Sequence, residues 1–155
     1  MRSRLVAALA VVGILLGASA VFAQAKSDVE LSRDVLQAQR KLLVSHNLVL
    51  SEAEGTAFWP VYDKYAAEQR QLNDRLIKAI ESFATEYDQL TDARAKQLLE
   101  DSLAIREDRN KLRRSYLKRF SKAVPGKKLA RFYQIDNKLD VLLDALIAEA
   151  VPLVK

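Results

Sequence analysis

After residue 25 the chain holds only two glycines, Gly55 and Gly126, and three prolines, Pro60, Pro125 and Pro152. A β-rich domain turns often and uses both residue types to do so. So sparse a supply leaves room for a few long, uninterrupted elements. Ala, Leu, Glu, Gln, Lys and Arg dominate the same stretch, and all are good helix formers. The expected class is all-α.

The first 25 residues stand apart. Arg2 and Arg4 precede an apolar run from Leu5 to Ala20, and small residues follow at Ala20, Ala23 and Ala25. That order reads as a secretory signal peptide. Ala-Gln-Ala at 23–25 and Val21-Phe22-Ala23 each supply a cleavage site. A membrane anchor is the alternative, but the strongest part, Leu5 to Leu16, falls short of the roughly 20 residues a spanning helix needs. The expected organisation is a signal peptide over 1–25 and one all-helical, periplasmic domain over 26–155. The chain has no cysteine, so acylation at the leader, disulfides and thiolate chemistry are excluded. Packing, or packing with self-association, must hold the domain together.

Residues 26–33 are polar and read as a loose lead-in. Val35 to Leu50 reads as a first helix, with Leu36, Leu42, Leu43 and Val44 on its apolar side and a fraying point at His46-Asn47. Leu50-Ser51-Glu52-Ala53-Glu54 has the pattern of a capping box preceded by a staple residue. Behind it Phe58, Tyr62, Tyr65, Leu72, Leu76, Ile80, Phe83 and Tyr87 recur at helical spacing. Pro60 sits in that helix beyond the first turn, which predicts a kink or a short separate turn. Thr91 caps a third helix that runs to about Lys122. Its apolar face is Leu98, Leu99, Leu103, Ile105, Leu112, Tyr116, Leu117 and Phe120. Val124-Pro125-Gly126 ends it, with glycine expected to relieve the turn. The last helix covers Lys127 to Ala150, with a stripe of Phe132, Ile135, Leu139, Leu142, Leu143, Leu146 and Ile147. Pro152 stops it, and Val151, Leu153 and Val154 form an apolar tail that docks on its own domain or on a second subunit. The whole reads as four mostly antiparallel helices with a long central hairpin.

Charge is uneven. Net charge is +5, or +3 without Arg2 and Arg4, since no acid lies in the leader. From Arg106 to Arg131 eleven basic residues stand against two acids, Glu107 and Asp108. Such a concentration attracts anionic partners. Arg106, Arg109, Arg113, Arg114 and Lys118 are the candidates for anion or client attraction. The competing account is a solvated or internally paired face, because basic residues suit a helix C-terminus. Phe58, Trp59 and Tyr62 form the densest aromatic patch; they read as core, or as an apolar contact site if exposed. Tyr116, Phe120, Phe132 and Tyr133 flank the Pro125-Gly126 turn and are expected to pack across it. Gln134, Asp136 and Asn137 are placed for a polar network with Arg131 or helix two.

Catalytic chemistry has no foothold. His46 is the only histidine, and a metal or catalytic role needs company. Asp136 and Asp140 share a helix face without a third ligand. No phosphate loop, no Ser-His-Asp spacing and no Cys-x-x-Cys is present. The sequence points to a non-enzymatic protein without cofactor or metal, and it carries no nucleic-acid-reading motif.

At Leu50-Ser51 and at Leu90-Thr91-Asp92-Ala93-Arg94 the chain resembles the exported Spy and CpxP chaperone and adaptor group, whose helices start with Leu-Thr-x-x-Gln. Glu54 and Arg94 stand where that motif has glutamine. A closer resemblance is to a set of small uncharacterised exported helical proteins of proteobacteria. They share Phe58-Trp59-Pro60-Val61-Tyr62 and the segment from Pro125 to Leu139, a match over most of the mature chain, and have no assigned activity. The chaperone resemblance implies a cradle-shaped homodimer that holds unfolded or envelope proteins without ATP, by charge first and apolar contact second. An envelope module that binds anionic lipid head groups or proteins, and a structural helical subunit, are the alternatives.

Overall fold

The computed structural model describes Val35 and residues 39–154. The expected leader, its cleavage sites and the lead-in 26–33 lie outside the described residues. Among the described residues every regular element is helical. Residues 39–47 form α1, Glu52–Glu86 α2, Asp92–Ala123 α3 and Gly126–Ala150 α4; a 3-10 turn, Tyr87–Gln89, prolongs α2. None of these helices is long and apolar enough to cross a membrane.

The expected capping box starts α2. Ser51 stays extended, its hydroxyl accepts the Glu54 amide at 3.3 Å, and the Glu54 carboxylate accepts the Ser51 amide at 2.7 Å. The same carboxylate also takes the Lys128 ammonium from the first turn of α4. That turn carries no acid and opens on Gly126-Lys127-Lys128, so its basic residues face the positive end of a helix; Glu54 offsets one of them. The bond to Lys128 and the Ser51 amide together hold the Glu54 carboxyl below the usual carboxylate range.

One of the two readings at Pro60 drops out, and the expectation at the α3–α4 junction changes. α2 is continuous through Pro60, with no separate turn before the main helix. Pro60 is exposed, so the carbonyl that loses its helix donor lies where water can serve it. At the α3–α4 junction Val124 and Pro125 are both extended, at ψ 152° and 155°. Gly126 opens α4, and no glycine among the described residues has a positive φ. The residue before proline avoids the helical region, so Val124-Pro125 makes the corner and the glycine relieves nothing.

α2 and α3 form a hairpin. Its contacts pair Glu86 with Arg94, Arg75 with Asp108, Tyr65 with Tyr116 and Phe58 with Phe120. Near the Pro125 corner the core is aromatic. Phe58, Phe120 and Phe132 have ring centroids 4.7–5.2 Å apart, and Tyr62, Tyr65 and Tyr116 complete the buried set. Edge-on and tilted contacts of this kind suit the ring quadrupoles. Tyr133 packs on Phe120 and Phe132, so the four aromatics flanking the corner do meet across it. Val44 of α1 and Leu48, just past its end, close the cluster. At the other end the Tyr87 hydroxyl donates to the Leu153 carbonyl at 2.8 Å, which places the tail on its own chain. The apolar stripes are only partly covered: Leu99 and Leu103 on α3 and Leu142 and Leu146 on α4 are exposed.

A Cβ built on Gly126 meets nothing within 4 Å. Gly126→Ala therefore narrows the unfolded ensemble without a clash and is expected to stabilise the protein by about 0.5 kcal/mol. A higher urea midpoint at unchanged slope would show it.

Candidate functional site: a basic-rimmed groove beside a buried charge ladder

The helix repeat places residues four apart on one face, and three helices use this to build a polar ladder inside the bundle. Tyr65, Gln69 and Asn73 come from α2, Arg109 and Arg113 from α3, and Asp136, Asp140 and Asp144 from α4. Arg40 enters from α1. Asp136 is fully buried. Its carboxylate accepts Arg40 Nη2 at 2.5 Å, Tyr65 Oη at 2.6 Å and Arg113 Nε at 3.3 Å. Asp140 takes Arg40 Nη1 at 2.9 Å and Arg113 Nη2 at 2.5 Å. One rung further on, Arg109 donates to Asn73 Oδ1 at 2.8 Å and to Asp144 at 3.1 Å.

The electrostatics follow from this geometry. Burial alone would lower the Arg40 pKa, but Asp136 and Asp140 outweigh it and raise it. Arg113 behaves in the same way, with Asp140 and Asp136 overcoming its burial. Both guanidinium groups are fixed as cations. Burial also pushes up the tyrosines around the ladder: Tyr62 to about 12, and Tyr133 to about 12 with Asp136 adding to the effect.

The predicted residues therefore divide. Arg109 and Arg113 point inward, are ion-paired and are not offered to a client. They pair with acids of α4 rather than α2. Arg106, Arg114 and Lys118 are exposed on α3. Phe58 and Tyr62 are buried core, and Trp59, half-buried, is the member of that patch left with an accessible face. Lys41 sits 5.6 Å from the centre of the Trp59 ring. Asp136 does join a network, but with Arg40, Tyr65 and Arg113; Gln134 and Asn137 are exposed. The Asp136–Asp140 pair is occupied by two arginines. Among the described residues no group of three or more metal-ligating side chains is found.

One surface feature lay beyond the sequence. Between α2 and α3 runs a groove of about 460 Å³, lined by Ala57, Pro60, Val61 and Lys64 on one side and Tyr116, Arg119, Lys122 and Ala123 on the other. Ala57 and Ala123 are small and leave the space. Pro60 and Val61 give it an apolar floor, and Tyr116, itself buried, lies behind it. The Arg119 guanidinium lies 4.6 Å from the centre of the Tyr116 ring, a cation–π distance. No salt bridge among the described residues engages Lys64, Arg119 or Lys122. Arg119 and Lys122 belong to the basic run read from the sequence, but nothing there shows that α2 supplies the facing wall.

No protein-family model, curated protein or solved structure matches the chain.

Two outcomes test the ladder. Asp136→Ala strands buried Arg40 and is expected to cost about 3–5 kcal/mol, whereas Arg75→Ala, at an exposed pair with Asp108, changes urea stability far less. The second concerns alkali. A raised tyrosine pKa favours the folded, protonated state; that contribution is full below the ordinary tyrosine value of 10.0 and lost as pH rises through about 12. Stability is expected to fall above pH 10, with tyrosinate absorbance of the buried rings appearing together with loss of helical circular dichroism.

Proposed function

We propose that this is a non-enzymatic periplasmic protein that holds unfolded or partly folded envelope proteins without ATP, as a dimer of mostly antiparallel helices. The observation that carries the reading is the groove: an apolar floor of Pro60 and Val61 rimmed by Lys64, Arg119 and Lys122, none of which forms a salt bridge among the described residues. Exposed Arg106, Arg114 and Lys118 carry the positive surface along α3. Charge of this kind speeds encounter with acidic segments. Once a segment arrives, its apolar side chains settle on the floor, and Trp59 offers a further apolar contact. A shallow floor without a shaped pocket sets few demands on sequence, which suits varied clients. The N-terminal leader pattern supports the compartment. Exposed Leu99, Leu103, Leu142 and Leu146 support self-association.

The test is aggregation of a chemically unfolded protein, followed by light scattering with the mature domain added at low and high salt. Suppression is expected near equal stoichiometry and is expected to fade with salt, because exposed charges are screened. Arg119→Glu with Lys122→Glu is expected to weaken it about tenfold, an effect of roughly 1.4 kcal/mol, with circular dichroism unchanged. Arg106→Glu with Arg114→Glu is expected to weaken it less. No suppression at several-fold excess overturns the holdase reading. Suppression indifferent to the Arg119 and Lys122 changes moves the site away from the groove. Cosedimentation with anionic vesicles in place of suppression assigns the surface to lipid head groups.

A further inference from the structure

α3 carries an apolar edge on the side away from the groove. Leu99, Leu103 and Leu117 are 58 %, 57 % and 49 % exposed. At 3.6 residues per turn they fall, with exposed Arg106 and Asn110, inside about 60° of arc. The steps from Leu99 to Asn110 are four, three and four residues, the spacing of a seam between two helices. Arg119, two residues beyond Leu117, faces roughly the opposite way, so seam and groove lie on different sides of α3. Glu100, Glu107 and Arg114 stand seven apart along one border of the seam, and all three are exposed. The border therefore changes sign, acidic before its midpoint and basic after it.

We propose that α3 pairs antiparallel with α3 of a second copy of this chain, about a two-fold axis near Asp108. The order of charges selects both the occupant and its direction. Laid parallel, Arg106 would meet the partner's Arg106, and the two basic ends would lie together. Turned end for end, Leu99 meets the partner's Leu117, Arg106 donates to the partner's Asn110, and Glu100 faces the partner's Arg114. The two-fold makes each of these contacts twice. Arg114 has no salt bridge among the described residues, and Lys96 reaches Glu100 only at 3.8 Å, so neither charge is firmly engaged. Glu107 meets its own copy near the axis, where Lys111 offsets it at 2.9 Å. A polar residue such as Asn110 within an apolar seam fixes register. The inference rests on the dimer of the reading above, for which it supplies the interface, and not on client holding. It leaves Arg119 and Lys122 clear, with one groove on each copy.

The experiment uses the full chain, which has no cysteine of its own. Leu99→Cys and Leu117→Cys proteins are oxidised mildly, each alone and as an equilibrated equimolar mixture, and resolved by non-reducing electrophoresis. The mixture is expected to give a cross-linked pair and neither variant alone to do so, because the antiparallel register brings 99 and 117 within disulfide reach. Sedimentation then tests the charges. Glu100→Arg and Arg114→Glu, made singly, are each expected to raise the dimer dissociation constant about tenfold, since symmetry doubles the loss. The double variant, which swaps the charges, is expected to restore it. Leu103→Asp is expected to give a monomer with unchanged circular dichroism. A monomeric native chain overturns the proposal, as do cross-linking of either cysteine variant with itself, a mixture that does not cross-link, a double variant that is not restored and a Leu103→Asp protein that still dimerises. Aggregation suppression is read separately. Its absence with the 99–117 cross-link formed supports the seam and overturns the holdase reading; its presence with no cross-link overturns the seam alone.

Discussion

Asp136 is the point at which the four helices meet. A carboxylate with no exposure would be prohibitively costly on its own. Here it accepts from Arg40 of α1, Tyr65 of α2 and Arg113 of α3 while belonging to α4. Each partner depends on it in turn: Arg40 is nearly buried, and Arg113 is drawn inward. Over its described residues α1 buries one apolar side chain, Val44, with Leu48 just past its end. The arginine clamp adds what so little apolar burial cannot supply. Such a network stabilises less than an equally well-packed apolar core would, but it accepts one register of α4 and rejects its neighbours. A shift of α4 by a residue would point Asp136 and Asp140 away from both guanidinium groups.

The aromatic cluster and the ladder divide the labour. The cluster lies beside the Val124-Pro125 corner, where Phe120 and Phe132 are brought close by a connection of only two extended residues. Non-directional burial there holds the ends of α2, α3 and α4 together. Ring packing tolerates small slides; charge-assisted hydrogen bonds do not. The ladder begins one turn further along each helix, at Tyr65, Arg113 and Asp136, and fixes what the rings leave free. Tyr65 belongs to both, since its ring packs on Tyr116 and Phe120 while its hydroxyl donates to Asp136.

Much of the fold was legible because its signals are local. Ser51 with Glu54, Thr91 and Val124-Pro125 mark helix ends through contacts within a few residues, and each end falls within a residue or so of its expected place. The aromatic contacts across the corner were legible for the same reason. The interior fate of Arg109 and Arg113 was not. Charge density along a helix suggests a solvated face, and the facts that turn these two inward lie in Asp136, Asp140 and Asp144, more than twenty residues away. The clue was the shared spacing of four, which sets Arg109 and Arg113 in the same stripe as Leu112, Tyr116 and Phe120. The apolar stripes misled in the opposite sense. Leu99, Leu103, Leu142 and Leu146 keep helical spacing, yet each helix has too few neighbours to cover so wide an apolar arc. The groove was hidden because its walls come from two helices, and small residues such as Ala57 and Ala123 leave no mark in a pattern built on large ones.

The sorting of the basic residues separates what the protein needs for folding from what it offers at its surface. Arg109 and Arg113 are enclosed with their counter-charges, Lys128 is held by Glu54, and Arg131 donates to the Asn47 carbonyl. Arg106, Arg114, Lys118, Arg119 and Lys122 are left outward. Salt acts on these two sets differently. Mobile ions screen exposed charges over about 10 Å at moderate ionic strength but reach enclosed pairs far less. Added salt therefore weakens the outward field while the ladder keeps the bundle in register. A surface that attracts by charge can in this way be turned down without loosening the structure that presents it, because the charges that attract are not the charges that hold the helices together.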